Sequence, residues 1–560
     1  MIIVEGNKII ADTKTQKITF IDGCLTEIVS KIDGERYLYD ERQNRECPLY
    51  IVYPFERVYN ICKREYCKIN VIQYNKYLVN VSFYGWHGHG DMLIEEEIET
   101  GTVNITPSVQ TSLPGLRACR WELYGIHRDA EVILPFFQGF KTRMDSSLLN
   151  WECFDDLRYP YRWEENFVAF GTQNGGFWIW NQGARERYKK LHVGNEETPY
   201  YVAFDTENYG PAEDKCSAGG VTWKINTYKG DWQTPVMKYK KVLMADVSWE
   251  KSKATLPEWF DDIRLAVSWC QTNPDILDAL KRYIDPKKVI IHLPNWRQHI
   301  YDQGYPDYTA SETGKAFIAK GNEMGYHIAP HFNCFEIDPS MPEFELVRDF
   351  RFRNIEDHRA MGWTILNNNY GDVPEDNMAL RTNREYNVMT KIHPALPVWK
   401  NLLAGNMKKA VDNNNLHMVF TDISHNTHNI VNSLVNDTTT INGTQELISF
   451  LGQINGGITV GGEGMNETLL CQHFAQGHSV FNGEAQTMIP VENYLPINHM
   501  LFGELCHIIG YHPQNDINSQ ILQDDCDKKR GFVPTLFCSQ AEQLCDKNSV
   551  ARKIIERATN

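Results

Sequence analysis

Near residue 255 the sequence changes its period, and that change restricts the fold more than any single motif. Upstream, short segments alternate apolar and polar residues and are broken by turn signals. "NKIIADTKTQKITFIDGCLTEIVSKIDGERYLYD" is typical, with Asp-Gly turns at 22–23 and 33–34. "YLVNVSFYGWHG", "VILPFFQGF", "ENFVAFGTQNGGFWIWNQ" and "AGGVTWKINTYKG" continue the pattern, and no amphipathic helix is expected to interrupt it. Many short strands at this spacing predict a large antiparallel β-sandwich over residues 1–252.

Downstream, over residues 253–560, the rhythm is strand, loop, helix. Candidate strands are "IRLAVSW" (263–269), "KVIIHLPNW" (288–296), "HIAPHFN" (327–333), "HMVFTDIS" (417–424) and "GITVGGEG" (457–464). Three weaker ones follow: "HSVFNGE" (478–484), "HIIGYHP" (507–513) and "FVPTLFCS" (532–539). Between them, "PDILDALKRYI", "ETGKAFIAKGNEMG", "PVWKNLLAGNMKKAVDNN" and "TQELISFLGQIN" repeat apolar residues at i, i+3, i+4 and i+7. Eight apolar strands alternating with helices predict a parallel (β/α)8 TIM barrel, giving a multidomain β plus α/β chain. A polar insertion at about 334–392 follows the third strand, and long loops at that barrel face are usually functional.

In such a barrel the C-terminal strand ends converge on one mouth, where active sites are built. Asp422 ends the fourth strand within "TDISHNTHN", and Glu463 ends the fifth within "GGEGMNE". The same rule selects Trp269, Asn295, Trp296, His331, Asn333 and Glu467. Glycoside hydrolysis needs two carboxyl groups flanking the scissile bond, about 5–5.5 Å apart for a nucleophile and about 6.5–9.5 Å when water attacks. Asp422 with Glu463 or Glu467, from neighbouring strands, can reach either spacing. Glycines 461, 462 and 464 are expected to let backbone and ligand approach around Glu463. Asn466 is expected to cap a following helix, which gives Glu467 the alternative role of offsetting its dipole. His425 is a candidate for a substrate hydroxyl or for a structural bond. Trp269 and Trp296 are candidates for the wall against a sugar face, although Trp269 fits a barrel core equally well.

With "VFTDISH" on the fourth strand, "GGEGMNE" on the fifth and a long sandwich before the barrel, the chain resembles α-glycosidases of the α-N-acetylgalactosaminidase type and their endo-acting relatives. "LPFFQGF…LRYPYRWEENFVAFGTQNGGFWIWN" also resembles a broader group of uncharacterised glycoside hydrolases. The resemblance implies a galactose-mutarotase-like supersandwich for the first domain. It also implies retaining cleavage of an α-glycosidic bond in a small oligosaccharide or glycoconjugate, with a strand-end Asp as nucleophile and a Glu some tens of residues later as acid/base. Here 463 − 422 gives 41 residues. The implied partner is the saccharide substrate, with no cofactor and no metal.

Other classes leave weaker traces. A net charge of −16 and the lack of any Lys/Arg run argue against nucleic acid. No apolar run reaches the roughly 18–20 residues of a membrane span, and no signal peptide is read at the N-terminus, so a cytoplasmic location is expected. The 14 cysteines are then expected as reduced, mostly buried thiols. "YGWHGHGD" places His87, His89 and Asp91 at alternate positions, and His327 and His331 share a strand face. Each pattern is compatible with a metal ion, which keeps a metal-dependent barrel hydrolase or isomerase as an alternative. A non-catalytic carbohydrate-binding protein is the other. No phosphate-loop or dinucleotide pattern is present.

Overall fold

The computed structural model describes residues 1–62, 66–181, 183–195, 199–366, 369–371, 387–478, 489–511 and 517–559. They form two compact units, Met1–Leu243 and Met244–Asn560.

The first unit consists of two antiparallel sheets, of eleven and ten strands among the described residues. Alternation does what the sequence implied. Along His89–Glu97 every second residue is buried, and the strand pairs in register with Leu78–Tyr84 and Thr102–Gln110. Aromatic rings from both sheets fill the space between them. Phe204 of the first sheet lies 4.5 Å from Trp223 of the second, and Trp163 stacks on Trp223 at 6.1 Å. Such rings bury large apolar areas, and this drives the two faces together. One expectation fails at the C-terminal edge of the unit, where a helix runs Gln233–Met244. Only Pro235, Val236, Tyr239 and Leu243 are buried along it, so the lysines between them blur the period. Cys62 and Cys67 are joined as a disulfide, against the expectation of free thiols throughout. Their sequence separation is only 5.

The second unit carries eight parallel strands: β1 Leu265–Ser268, β2 Val289–Leu293, β3 His327–Asn333, β4 Met418–Asp422, β5 Thr459–Glu463, β6 Phe474–Gln476, β7 His507–Ile509 and β8 Thr535–Phe537. They pair in the order β7-β6-β5-β4-β3-β2-β1-β8. A parallel bridge between Ile509 and Val533 nearly closes the ring into a TIM-type barrel. β6 corrects the expectation of a strand at 478–484: it lies earlier, and residues 479–484 fall outside the described residues. Ile290, Ala329, Met418, Phe420 and Phe474 pack together in the core. Helices Pro274–Lys281, Glu312–Met324, Pro397–Asn414 and Thr440–Leu451 separate the early strands. Asn273, Ser311 and Thr439 cap three of them by accepting backbone N–H bonds. Among the described residues no helix is long and apolar enough to cross a membrane.

Two further expectations change. Among the described residues no helix lies between β5 and β6. Asn466 Oδ1 instead accepts from Thr468 N and Oγ1 at 2.9 and 2.7 Å, closing a turn. The insertion after β3 contains a small antiparallel sheet in which Glu336–Ile337 pairs with Asn387–Lys391.

Candidate active site

Parallel register sets the geometry. Asn333 on β3 is the partner of Asp422 on β4, and Thr421 is the partner of Gly462 on β5, so Asp422 and Glu463 stand side by side at the strand ends. Neighbouring strands lie about 4.8 Å apart, so the two carboxyl groups are near enough to perturb each other's ionisation. Their side chains are 14% and 18% exposed, which leaves both open to the mouth.

The residue between them and the loop is strained. Ile423 has φ +54°, a left-handed conformation that a β-branched residue rarely adopts. Its N–H donates to Glu463 Oε2 at 3.2 Å. Two other strand-end or loop residues at this mouth, Trp269 and Asp302, share the same backbone region.

Electrostatics couple four acids here. Burial, with Asp422's negative charge second, pushes Glu463 up to about 7. Burial also pushes Asp422 up to about 7, while hydrogen bonds from Ile423 N, Glu463 and Tyr301 and the charge of Lys391 act to keep it ionised. The two rise to about the same value, so near neutrality the pair can hold one proton between its members. Glu336 is raised to about 7 by burial and by Asp422, against the pull of Lys391. Its carboxylate accepts from Asn333 Nδ2 and Trp363 Nε1, both at 2.9 Å. Asp302 is pushed well above the usual carboxylate range by burial and by the charges of Asp422 and Glu336. Lys391, also buried, feels Glu336, Glu463 and Asp422 together.

His331 stands beside the nucleophile candidate, its Nε2 3.6 Å from Asp422 Oδ2 and its Nδ1 3.1 Å from His292 Nε2. Burial holds it neutral, well below the ordinary histidine value. Asp302, His331 and Asp422 bring one oxygen, one nitrogen and one oxygen within 4.8 Å of one another. His425 holds the acid's backbone, with Nδ1 2.9 Å from Glu463 O. Trp269, half-buried, packs its ring against Tyr301, Tyr511 and His292 at the mouth.

Other sequence-selected residues have different work. Trp296 is fully buried and donates its indole N–H to His331 O at 2.9 Å, so it anchors β3 rather than offering a wall. Asn333 is also fully buried, and its amide is committed to Glu336 and to the N–H groups of Phe335 and Glu336. Asn295 is exposed. Glu467 is buried in the turn after β5. The β5 glycines make room for protein rather than ligand: a Cβ at Gly461 would strike the Phe474 ring, and one at Gly462 would strike Gln472 and Ser424. His327 lies at the opposite end of β3 from His331 and bonds to Lys287 O at 2.9 Å. His87 packs on Tyr59 while His89 stacks on Tyr84 and meets Asp91 at 3.1 Å. These two histidine pairs therefore form no metal cluster among the described residues.

Sequence reading missed Tyr301, Asp302, Glu336 and Lys391. Lys391 within "VMTKIHPAL" is a single charge in a largely apolar run, and Glu336 within "NCFEID" stands between Phe335 and Ile337. That is the signal a buried charge leaves.

Residues 221–431 match the model of a family described as a domain of unknown function, DUF6259. No curated protein sequence matches the chain. Among solved structures, the chain is similar to α-N-acetylgalactosaminidase NagBb from Bifidobacterium bifidum in its Gal-NHAc-DNJ complex. That match has 12% identity and TM-score 0.65, covering 100% of this chain and 92% of the other. The ligand-free form of the same protein gives 11%, TM-score 0.63, and coverage of 95% and 92%. An α-galactosidase from Geobacillus stearothermophilus in complex with 1-deoxygalactonojirimycin gives 7%, TM-score 0.50, and coverage of 99% and 85%. The chain shares the fold of these proteins across nearly its whole length.

Proposed function

We propose that this chain is a retaining glycoside hydrolase acting on an α-glycosidic bond of a small oligosaccharide or glycoconjugate. The observation that carries the reading is the coupled pair Asp422 and Glu463 on adjacent strand ends of a barrel. The fold shared with a protein crystallised as an α-N-acetylgalactosaminidase with GalNAc supports it.

In this mechanism Asp422 attacks the anomeric carbon as the glycosidic C–O bond breaks, and Glu463 gives its proton to the departing oxygen. A glycosyl ester on Asp422 results. Glu463, now anionic, takes a proton from water, whose oxygen attacks the same carbon and releases Asp422. Lys391 and Tyr301 stabilise the carboxylate form of Asp422, while burial and Glu336 keep Glu463 protonated. Ile423 N–H and His425 fix the acid in place.

Screening α- and β-aryl glycosides, with the first-formed anomer followed by NMR, tests the reading. Retention and loss of at least about a thousandfold in Asp422→Asn are expected. Inversion, or near wild-type turnover in that variant, overturns it.

One observation favours a second reading. The Asp302–His331–Asp422 group has the ligand types of a divalent-cation site, and a metal-dependent hydrolase or isomerase would use it. Elemental analysis with activity before and after chelation separates the two, since the glycosidase mechanism above is indifferent to chelators.

A further inference from the structure

The sandwich unit contains a cavity of about 570 Å³, within the 300–1,000 Å³ typical of small-molecule sites. We propose that it is a second carbohydrate site, shaped for a neutral mono- or disaccharide.

The floor is the face of the first sheet that carries Tyr124, Tyr201 and His192. Strand register explains why they meet. Tyr124 pairs across the strands with Tyr201, and Tyr201 pairs with Gly194 on its other side. Trp121 and Leu123 of the same strand are fully buried, so Tyr124 does not point into the shared core as they do. The two tyrosine rings stack at 5.0 Å and 30°, and the Arg42 guanidinium sits 3.5 Å over Tyr124. Gly194 is a close approach, since a Cβ there would run into the Tyr201 ring. The rings are therefore fixed before any ligand arrives, which lowers the ordering cost of binding.

The walls supply hydrogen bonds. Asn150 and Asp155 come from the short segment 147–155, and Asn195 from the end of strand Lys189–Gly194. Asn195 Nδ2 donates to Ser146 O at 2.8 Å, which sets the orientation of its amide. Flat aromatic surface beside amide and carboxylate groups suits a pyranose, whose C–H faces pack on rings and whose hydroxyl pairs need both donors and acceptors.

Charge decides between a neutral sugar and an anionic one. Arg42 is held by Asp40 through Nε at 2.9 Å and a terminal nitrogen at 3.0 Å. His192 Nε2 is 2.9 Å from both Asp205 Oδ2 and Arg120. Both basic groups facing the cavity already have partners, and Asp155 adds a negative charge, so a phosphorylated or acidic sugar is disfavoured.

The test uses the full chain as Asp422→Asn, titrated with galactose, N-acetylgalactosamine, glucose and lactose by calorimetry and saturation-transfer NMR. At least one probe is expected to bind with millimolar Kd. Tyr201→Ala is expected to weaken it tenfold or more, and Asn150→Ala with Asp155→Asn to weaken it severalfold at unchanged Tm. Should Tyr201→Ala fail to fold, the double wall variant alone decides, because its residues lie on the surface. Binding by none of the probes, or binding that the wall variant leaves unchanged, overturns the proposal. The wall variant leaves the barrel mouth intact, so sugar held there appears as binding that the variant does not change, and the two sites are told apart whatever the barrel's activity.

Discussion

At the scale of single residues the chemistry rests on who holds one proton. Asp422 and Glu463 titrate as a pair near neutrality, so kcat/KM is expected to follow a bell whose limbs belong to the pair rather than to either acid. Below the bell both carboxyls are protonated, and above it both have lost their protons. Lys391→Met removes the cation that favours ionised Asp422. The acid limb should then move to higher pH, with kcat/KM falling about tenfold at the original optimum, about 1.4 kcal/mol. An unmoved limb would show that Lys391 acts only in packing. Glu463→Gln is expected to spare glycosides with very acidic leaving groups, such as dinitrophenols, far more than poor leaving groups. A uniform loss would remove Glu463 from the acid role. Asp422 was legible because an apolar strand ran directly into it. Trp296 and Asn333 were misread because a strand end alone does not tell which side chains are buried and already committed to neighbours.

At the scale of elements, β5 is the exposed weakness. Gly461 and Gly462 leave space that Phe474, Gln472 and Ser424 fill. Gly461→Ala should cost about 1–3 kcal/mol as the ring is displaced, measured by denaturant unfolding with an unchanged slope. A change of under about 0.5 kcal/mol would mean that Phe474 can move freely. The first four barrel strands could be read as buried runs separated by helices, and the fifth by its place after the helix Thr440–Leu451. β6 could not, since three residues, Phe474–Gln476, carry too little pattern. Asn466 looked like a helix cap because an Asx turn uses the same side-chain bond.

For the whole molecule, the change of period near residue 255 separated antiparallel sandwich from parallel barrel, whereas Asp302 and Glu336 reach the mouth by tertiary placement that local sequence does not fix. Those acids set the response of the fold to pH. Glu336 rises from 4.5 to about 7, about 3 kcal/mol of preference for the protonated form. A raised carboxyl lends stability that is complete below its unfolded value and lost as pH climbs through its folded one. Tm should therefore fall between about pH 5 and 8, and Glu336→Gln should flatten that decline; an equal slope in the variant would refute the assignment. The paired carboxyls at the barrel mouth carry the same logic into inhibition. A cationic iminosugar wedged between them replaces their common hydrogen with its own positive charge. Its capture should expel that hydrogen into the buffer, tighten as the medium becomes more alkaline, and register in calorimetry as heat that varies with the buffer chosen.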